Sequence, residues 1–168
     1  MVKKRLLIAA VAAMLAIALV AASALICAAL SVGSKAPDFK LDEFNGGTIR
    51  LSDYTNKPTV LVFWASWCPH CVRELPVLDR LYKDLHPKGV NFVGVSLDRQ
   101  ISEGKDFVKS RRISFPIAAG KPATAESYKI TGIPTIFVLG KGGVVKARYA
   151  GAASESTIRS DLSKLGIK

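Results

Sequence analysis

The feature that most constrains the fold of this chain is a run of apolar, β-favouring residues that ends just before two cysteines. Residues 59–64 read TVLVFW, which is typical of a strand buried on both faces of a sheet. Cys68 and Cys71 follow, and between Pro69 and Leu85 apolar side chains recur at helical spacing. The pattern predicts a central strand, an amphipathic helix, and two thiols at the junction between them.

Segments on both sides of this junction also show strand or helix patterns. Short strands are expected at residues 36–41, 48–51, 90–97, 115–118, 133–139 and 144–149, and further helices at residues 102–112, 124–129 and 154–165. A leading hairpin precedes a βαβ portion, and a second β-hairpin and a closing helix follow. We therefore predict an α/β fold with a mixed central sheet, helices on both faces and an N-terminal β-hairpin extension.

The first 32 residues differ in composition from the rest of the chain. Lys3, Lys4 and Arg5 form a basic cluster, and the 25 residues 6–30 contain Ser23 as their only strongly polar side chain. At about 1.5 Å per residue, a helix of that length spans roughly 37 Å and exceeds a hydrocarbon core of about 30 Å. We expect a signal anchor or signal peptide at residues 1–32 and one domain at residues 33–168.

Three fates of this N-terminal segment are open. Residues 22–24 (ASA) offer a signal-peptide cleavage site, whereas the length of the apolar run favours an uncleaved transmembrane anchor. Lipidation at Cys27 is disfavoured, because residues 24–26 (ALI) place a bulky residue where a small one is needed. All three keep the basic cluster in the cytoplasm, so the domain is expected on the extracytoplasmic side, as in a periplasm.

The chain is basic, with 24 Lys and Arg against 13 Asp and Glu and a formal net charge of +11. The default interpretation of this excess is a solvated surface, and the alternative is attraction to anionic lipid headgroups or acidic protein partners. The basic residues are scattered, and no nucleic-acid-binding motif accompanies them. Nucleic acid is therefore not an expected partner.

The two cysteines can be compared with a metal site, a structural disulfide and a redox pair. A zinc site needs four ligands, and His70 and His86 are the only other soft or borderline ligands in the domain. A disulfide that closes a four-residue loop removes little entropy from the unfolded chain. The spacing therefore favours a redox pair that needs no metal and no cofactor.

The position of the pair at a helix start predicts different roles for the two thiols. Pro69 suits the first helical position, so free backbone N–H groups and the helix dipole are expected to stabilise a Cys68 thiolate. Cys68 is the predicted nucleophile. Cys71, one turn later, is the predicted resolving thiol that attacks the mixed disulfide. A protonated His70 between them adds positive charge, so Pro69 and His70 are expected to tune the redox potential.

Two separated motifs resemble the thioredoxin superfamily across nearly all of residues 35–168. They are residues 67–71 (WCPHC), after the buried strand, and residues 132–135 (GIPT), at the start of a later one. Within the superfamily, residues 36–39, 51–54 and 71–76 look like the membrane-anchored TlpA/ResA branch of extracytoplasmic thiol-disulfide oxidoreductases. The resemblance implies a thioredoxin-like fold and exported protein thiols or disulfides as partners.

The resemblance also implies roles for four residues outside the cysteine pair. Pro134 corresponds to the cis-proline that faces the disulfide, and Ile133 helps to bind the extended backbone of the partner. Trp67 shields the disulfide and contacts partners. Glu74, three residues after Cys71, is placed by a helix where its carboxylate can relay a proton during resolution.

Four functions are compatible with these motifs. The first is reduction of disulfides in exported proteins, including apocytochrome c, with electrons from a transmembrane donor protein. The second is disulfide donation, which the Pro69-His70 pair favours. The third, a peroxidase, is disfavoured because Leu61 and Ala65 stand where peroxiredoxins have proline and threonine. The fourth, a copper-binding module, is disfavoured because the domain contains no methionine.

Overall fold

The computed structural model describes residues 30–168. Within this range the chain forms seven strands and five α-helices. The strands are β1 (Lys40–Asp42), β2 (Thr48–Arg50), β3 (Thr59–Trp64), β4 (Asn91–Ser96), β5 (Ile117–Ala119), β6 (Thr135–Leu139) and β7 (Val145–Ala150). The helices are α1 (Leu51–Tyr54), α2 (Pro69–Leu85), α3 (Ile101–Arg111), α4 (Pro122–Ser127) and α5 (Glu155–Ser163).

The main sheet has five strands in the order β5-β4-β3-β6-β7. β3 lies at its centre, pairing in parallel with β4 and antiparallel with β6. β4 pairs in parallel with β5, and β7 returns antiparallel beside β6. The predicted mixed sheet is therefore confirmed, and the fully buried residues of β3 account for its unbroken apolar run.

Helices and loops bury the two faces of this sheet in separate cores. On one face, apolar side chains of α2, α3 and α5 pack against β3, β4 and β6. On the other face, the β1-β2 hairpin, α1 and Tyr128 at the end of α4 cover the same strands. The helix α2 places Leu75, Leu78 and Leu81 in the first core, as its spacing predicts.

The N-terminal part of the domain crosses the second face from one edge of the sheet to the other. At the β7 edge, the Val145 N–H donates to the Ser34 carbonyl at 2.9 Å and the Gly33 N–H donates to the Val145 carbonyl at 2.8 Å. At the β5 edge, the Phe44 N–H donates to the Ile117 carbonyl at 2.9 Å. We call residues 33–54 the N-terminal strap; it covers parts of both sheet edges.

Several element boundaries differ from the predicted ones for local reasons. The first strand begins at Lys40 rather than residue 36, because the Ala36 N–H bonds to the Gly143 carbonyl in the turn between β6 and β7 instead of to a neighbouring strand of the hairpin. Leu51, which is predicted as the last residue of the second strand, instead begins the short helix α1. β6 begins at Thr135, because the peptide bond between Ile133 and Pro134 is cis and precedes the strand.

The predicted anchor at residues 6–30 falls almost entirely outside the described residues. Among residues 30–168, no helix has the length and apolar character needed to cross a bilayer.

Candidate active site

Cys68 lies at the junction that the sequence predicts, between the end of β3 and the start of α2. It is the N-cap residue of α2, and Pro69 occupies the first helical position. The Cys71 backbone N–H donates to the Cys68 sulfur at 3.3 Å. The start of the helix therefore directs a hydrogen-bond donor and its positive dipole end at this sulfur.

The loop before β6 supplies the opposite wall of the site. Pairing of Phe63 with Thr135 brings the end of β3 beside the start of β6. The peptide bond before Pro134 is cis, as predicted, and the Cys68 thiol donates to the Ile133 carbonyl at 3.5 Å. The Cys68 sulfur is thus held between a backbone donor of α2 and a backbone acceptor of the Ile133-Pro134 loop.

Cys71 lies deeper than Cys68. Both side chains are free thiols; Cys68 retains 5% of its surface exposed and Cys71 none. Burial raises the pKa of the Cys71 thiol strongly, and a hydrogen bond with Cys68 raises it further. Cys71 is therefore a neutral thiol at physiological pH unless a base removes its proton.

Glu74 is buried in α2, one turn after Cys71. Only 6% of the residue is exposed, and its carboxylate accepts a hydrogen bond from the Ala153 N–H at 3.3 Å. Burial raises the pKa of Glu74 above its usual value, and the Ala153 hydrogen bond offsets part of this effect. A buried carboxylate with a raised pKa binds a proton more readily than an exposed glutamate does.

Trp67 is the exposed member of the motif, with 63% of its surface accessible next to the nearly buried Cys68. It borders a cleft of about 380 Å³ that also includes Leu97, Arg99, Gln100 and Glu103. By contrast, Trp64 is fully buried in β3 and packs against Phe107 of α3. The two tryptophans therefore differ, and Trp67 is the one available to a partner.

His70 is exposed at the start of α2, where its Nδ1 atom lies 3.1 Å from a guanidinium nitrogen of Arg73. Arginine can only donate, so Nδ1 is the acceptor of this hydrogen bond. Arg73 therefore places a positive charge next to His70; it lies within residues 71–76, but the resemblance assigns it no role. Its spacing of three residues from His70 is the signal that points to it.

Asp98 and Ser66 also belong to the site although no motif includes them. Asp98 follows β4, and its carboxylate accepts hydrogen bonds from the Ser66 N–H at 2.9 Å and the Ser66 hydroxyl at 2.7 Å. Parallel strands β3 and β4 end at the same edge of the sheet, so a polar residue directly after β4 lies beside the cysteine loop. That position in the chain is the signal by which Asp98 can be found.

Across residues 30–168, no three His, Cys, Asp or Glu side chains come together in a way that could hold a metal ion. The groups that this part of the chain offers at the site are the thiols of Cys68 and Cys71, the carboxylates of Glu74 and Asp98, and backbone hydrogen-bonding groups.

Comparison with known proteins agrees with this geometry. Residues 32–148 match the model of the AhpC/TSA family. The thiol-disulfide oxidoreductase ResA of Geobacillus thermodenitrificans is 32% identical over 138 residues, covering 82% of this chain and 79% of the relative.

Solved structures give the same result. The crystal structure of a Chlorobium tepidum protein described as a thiol:disulfide interchange protein DsbE superposes with a TM-score of 0.76 at 29% identity, covering 82% of this chain and 99% of the other. A thiol:disulfide interchange protein of the thioredoxin family from Chlorobium tepidum TLS gives 0.73 at 26% identity, covering 80% and 97%. The chain therefore belongs to the AhpC/TSA family and is a thiol-disulfide oxidoreductase with a thioredoxin-like fold.

Proposed function

We propose that this chain exchanges disulfides with exported proteins through Cys68 and Cys71. In this proposal, residues 6–30 anchor the chain to a membrane, and the domain lies on the extracytoplasmic side. The observation that most directly supports this proposal is the position of the Cys68 sulfur, which lies within hydrogen-bond distance of the Cys71 N–H and the Ile133 carbonyl. A helix start stabilises the thiolate, and the buried Cys71 is one turn away to complete the exchange.

The reaction runs in two thiolate attacks. The Cys68 thiolate attacks one sulfur of the partner disulfide, forms a mixed disulfide and releases the other partner sulfur as a thiolate. Cys71 then loses its proton and attacks the Cys68 sulfur, which forms the Cys68-Cys71 disulfide and releases the second partner thiolate. The partner gains two electrons, and the enzyme pair loses them.

Glu74 is the proposed acceptor of the Cys71 proton. The pKa of Cys71 is raised by burial, so the second attack needs a base, and Glu74 is a buried carboxylate on the same helix three residues later. Because its pKa is raised, the Glu74 carboxylate is closer in proton affinity to a thiol than the carboxylate of an exposed glutamate is. Neither role needs a cofactor.

Partner binding is proposed for the groups around the Cys68 sulfur. Exposed Trp67 offers an aromatic surface on one side of the sulfur. On the other side, the partly exposed Ile133 precedes the buried cis-Pro134, so its backbone can bind the extended chain of a partner beside its cysteine. These contacts suit a polypeptide better than a small disulfide.

The proposed direction in the cell is reduction, with apocytochrome c cysteines among the substrates and a transmembrane protein as electron donor. The named similarity to ResA and the position of Glu74 support this direction. Disulfide donation is the second candidate, favoured by His70 and by the guanidinium of Arg73 beside it. Positive charge near the pair stabilises the Cys68 thiolate and makes the disulfide more oxidising.

Trapping the mixed disulfide tests the exchange itself. In full-length protein with Cys27→Ser, we expect Cys71→Ser to accumulate a covalent complex with a protein disulfide, and Cys68→Ser to form none. Equal trapping by both variants contradicts the assignment of the nucleophile. Rapid peroxide turnover by the unchanged protein favours the peroxidase hypothesis instead.

The reduction potential of the Cys68-Cys71 couple tests the direction. A value near −270 mV, as in thioredoxin, supports the reductant, whereas a value near −120 mV, as in DsbA, supports the oxidant; both reference values are approximate. The intact mass of the protein from cells distinguishes an uncleaved anchor from a cleaved signal.

A further inference from the structure

The Asp98 carboxylate forms hydrogen bonds with the loop that contains Cys68. Its Oδ1 atom accepts from the Ser66 N–H at 2.9 Å and from the Ser66 hydroxyl at 2.7 Å. Its Oδ2 atom accepts from the Ser96 hydroxyl at 2.7 Å. One carboxylate therefore joins the end of β4 to the residue two positions before the redox sulfur.

The loop between β3 and α2 contains only residues 65–68, so a contact at Ser66 acts on Cys68 directly. The Cys68 N–H donates to the Ala65 carbonyl at 3.2 Å and closes a turn around Ser66 and Trp67. Asp98 binds the outer side of this turn at both donors of Ser66. Because the turn sets the direction of the Cys68 side chain, its position decides whether the sulfur reaches the Cys71 N–H.

The helix α3 supports Asp98 from behind. A Cβ atom at Gly104 would lie 2.8 Å from Asp98 Oδ2 and 3.0 Å from the Ser96 hydroxyl, so only glycine permits this approach. Glycine inside a helix costs stability relative to alanine, and close packing on this cluster gives a reason for it. The carboxylate is thereby enclosed between α3 and the turn.

We propose that Asp98 is a positioning residue of the redox site: it fixes the Ser66 turn and so keeps the Cys68 sulfur between the Cys71 N–H and the Ile133 carbonyl. Asp98 acts through Ser66, as a hydrogen-bond acceptor at the turn. This inference rests on the proposed role of Cys68 as nucleophile.

The test measures the rate at which Cys68 attacks dithiodipyridine, a neutral disulfide whose approach does not depend on the charge of Asp98. Full-length protein with Cys27→Ser and Cys71→Ser leaves Cys68 as the one thiol, and the released thiopyridone is followed by absorbance. Asp98→Ala removes the acceptor, whereas Asp98→Asn keeps an oxygen for the Ser66 N–H, and serine hydroxyls can turn to pair with its amide.

Asp79 provides a matched control. Its Oδ1 atom accepts from the Ser114 N–H and the Ser114 hydroxyl, both at 2.7 Å, which reproduces the Asp98-Ser66 pattern away from the redox site. Asp79→Ala therefore removes the same kind of contact and leaves the Ser66 turn intact. Thermal melting of every variant identifies the temperature at which all are folded.

We expect Asp98→Ala to react about tenfold more slowly than the parent, because small displacements of a reacting group cost large factors in rate. The rate of Asp98→Asn is expected to lie within about threefold of the parent rate, and the rate of Asp79→Ala is expected to equal the parent rate. An Asp98→Ala rate within twofold of the parent overturns the inference. So does an Asp98→Asn rate as low as that of the alanine variant, since charge would then be the cause.

If Asp98→Ala does not fold, Ser66→Ala replaces it, because that variant loses the hydroxyl contact and keeps the N–H contact. A rate equal to the parent in Ser66→Ala then overturns the inference, and a rate about threefold lower supports it. A parent whose Cys68 reacts no faster than free cysteine contradicts the proposed function itself, which is a different outcome.

Discussion

At the scale of single residues, Glu74 carries the clearest energetic signature. A carboxylate that is 6% exposed and receives one backbone hydrogen bond at 3.3 Å is costly to ionise. Such a group destabilises the folded protein when it is charged, so its retention in the core three residues after Cys71 calls for a function. The function that we propose is proton transfer during resolution.

Glu74→Gln is expected to lower the turnover of insulin reduction by about 10²-fold, because the base for Cys71 is lost. The same change alters the pH dependence of stability. The folded state holds the Glu74 proton more tightly than the unfolded chain, so stability present below about pH 4.5 is lost as the pH rises through the raised pKa. The glutamine variant lacks this loss.

Urea unfolding between pH 4 and pH 8, together with turnover, checks this prediction. Glu126→Gln, at an exposed position of α4, should change neither quantity. If Glu74→Gln has the same turnover and the same pH dependence of stability as the parent, the assignment of Glu74 is contradicted.

Trp67→Ala is expected to raise the KM for a protein disulfide several-fold with little effect on folding. The residue is 63% exposed, so its removal should change the free energy of unfolding by no more than about 0.5 kcal/mol. Val32→Ala is the matched control, since Val32 is 64% exposed and belongs to the segment that enters the domain. Equal KM values for the two variants speak against partner binding by Trp67.

At the scale of elements, the strap and the helix α3 show how contacts distant in sequence complete the fold. The Tyr128 hydroxyl donates to the Pro37 carbonyl at 2.5 Å, and the Asp38 carboxylate accepts from the Ser52 N–H at 2.9 Å. These two contacts attach the start of the strap to the end of α4 and to α1. Burial raises the pKa of Tyr128 strongly, so the phenol remains a donor at any physiological pH.

Tyr128→Phe is expected to loosen the strap, because it leaves the Pro37 carbonyl without its donor. A loss of about 1–2 kcal/mol in unfolding free energy should appear together with faster amide exchange in β1 and β2. Tyr82→Phe, on the opposite face of the sheet, should leave exchange in the hairpin unchanged. Uniform acceleration over all strands would instead indicate a global effect.

Gly104→Ala is expected to destabilise the protein although alanine is the better helix former. The new methyl group would lie 2.8 Å from Asp98 and 2.9 Å from the Phe44 ring, so about 1–3 kcal/mol of overpacking outweighs a propensity gain of about 1 kcal/mol. Ser102→Ala on the exposed side of α3 should be neutral or stabilising. Thermal melting of the two variants decides the sign.

The same elements show what could be predicted from the sequence. The strand β3 and the helix α2 are predicted well, because their periodicity is strong and the cysteine motif marks their junction. The helix α1 and the late start of β1 are not, because a side chain 14 positions away and an edge of the sheet determine them. Asp98 escapes the motifs for the same reason, since its partner Ser66 is 32 residues earlier.

At the scale of the whole molecule, the redox pair and the N-terminal end of the described chain lie at opposite ends of the sheet. Ser34 bonds to Val145, which pairs with Leu139 and thus lies near Thr59, whereas Cys68 follows the other end of β3. Five residue steps along β3 separate these ends by about 17 Å. Both tryptophans lie near the redox end.

This arrangement predicts that lipid-attached quenchers do not reach the tryptophans. In vesicles containing the full-length protein, brominated lipids should leave the tryptophan emission unchanged, because the chain enters the domain at the far end of β3. Soluble acrylamide should quench the exposed Trp67 in the same sample. Strong quenching by the brominated lipids would show that the redox end rests on the membrane.

Hydrogen bonds attach Gly33 and Ser34 to β7, so only a few residues separate position 30 from the start of the domain. If residues 6–30 cross the bilayer, the domain stands on a short stalk with its reactive sulfur on the side facing away from the lipid. An electron donor whose own cysteines are level with the headgroups could not touch that sulfur. The donor would need a loop or a domain of its own that rises at least the height of the sheet.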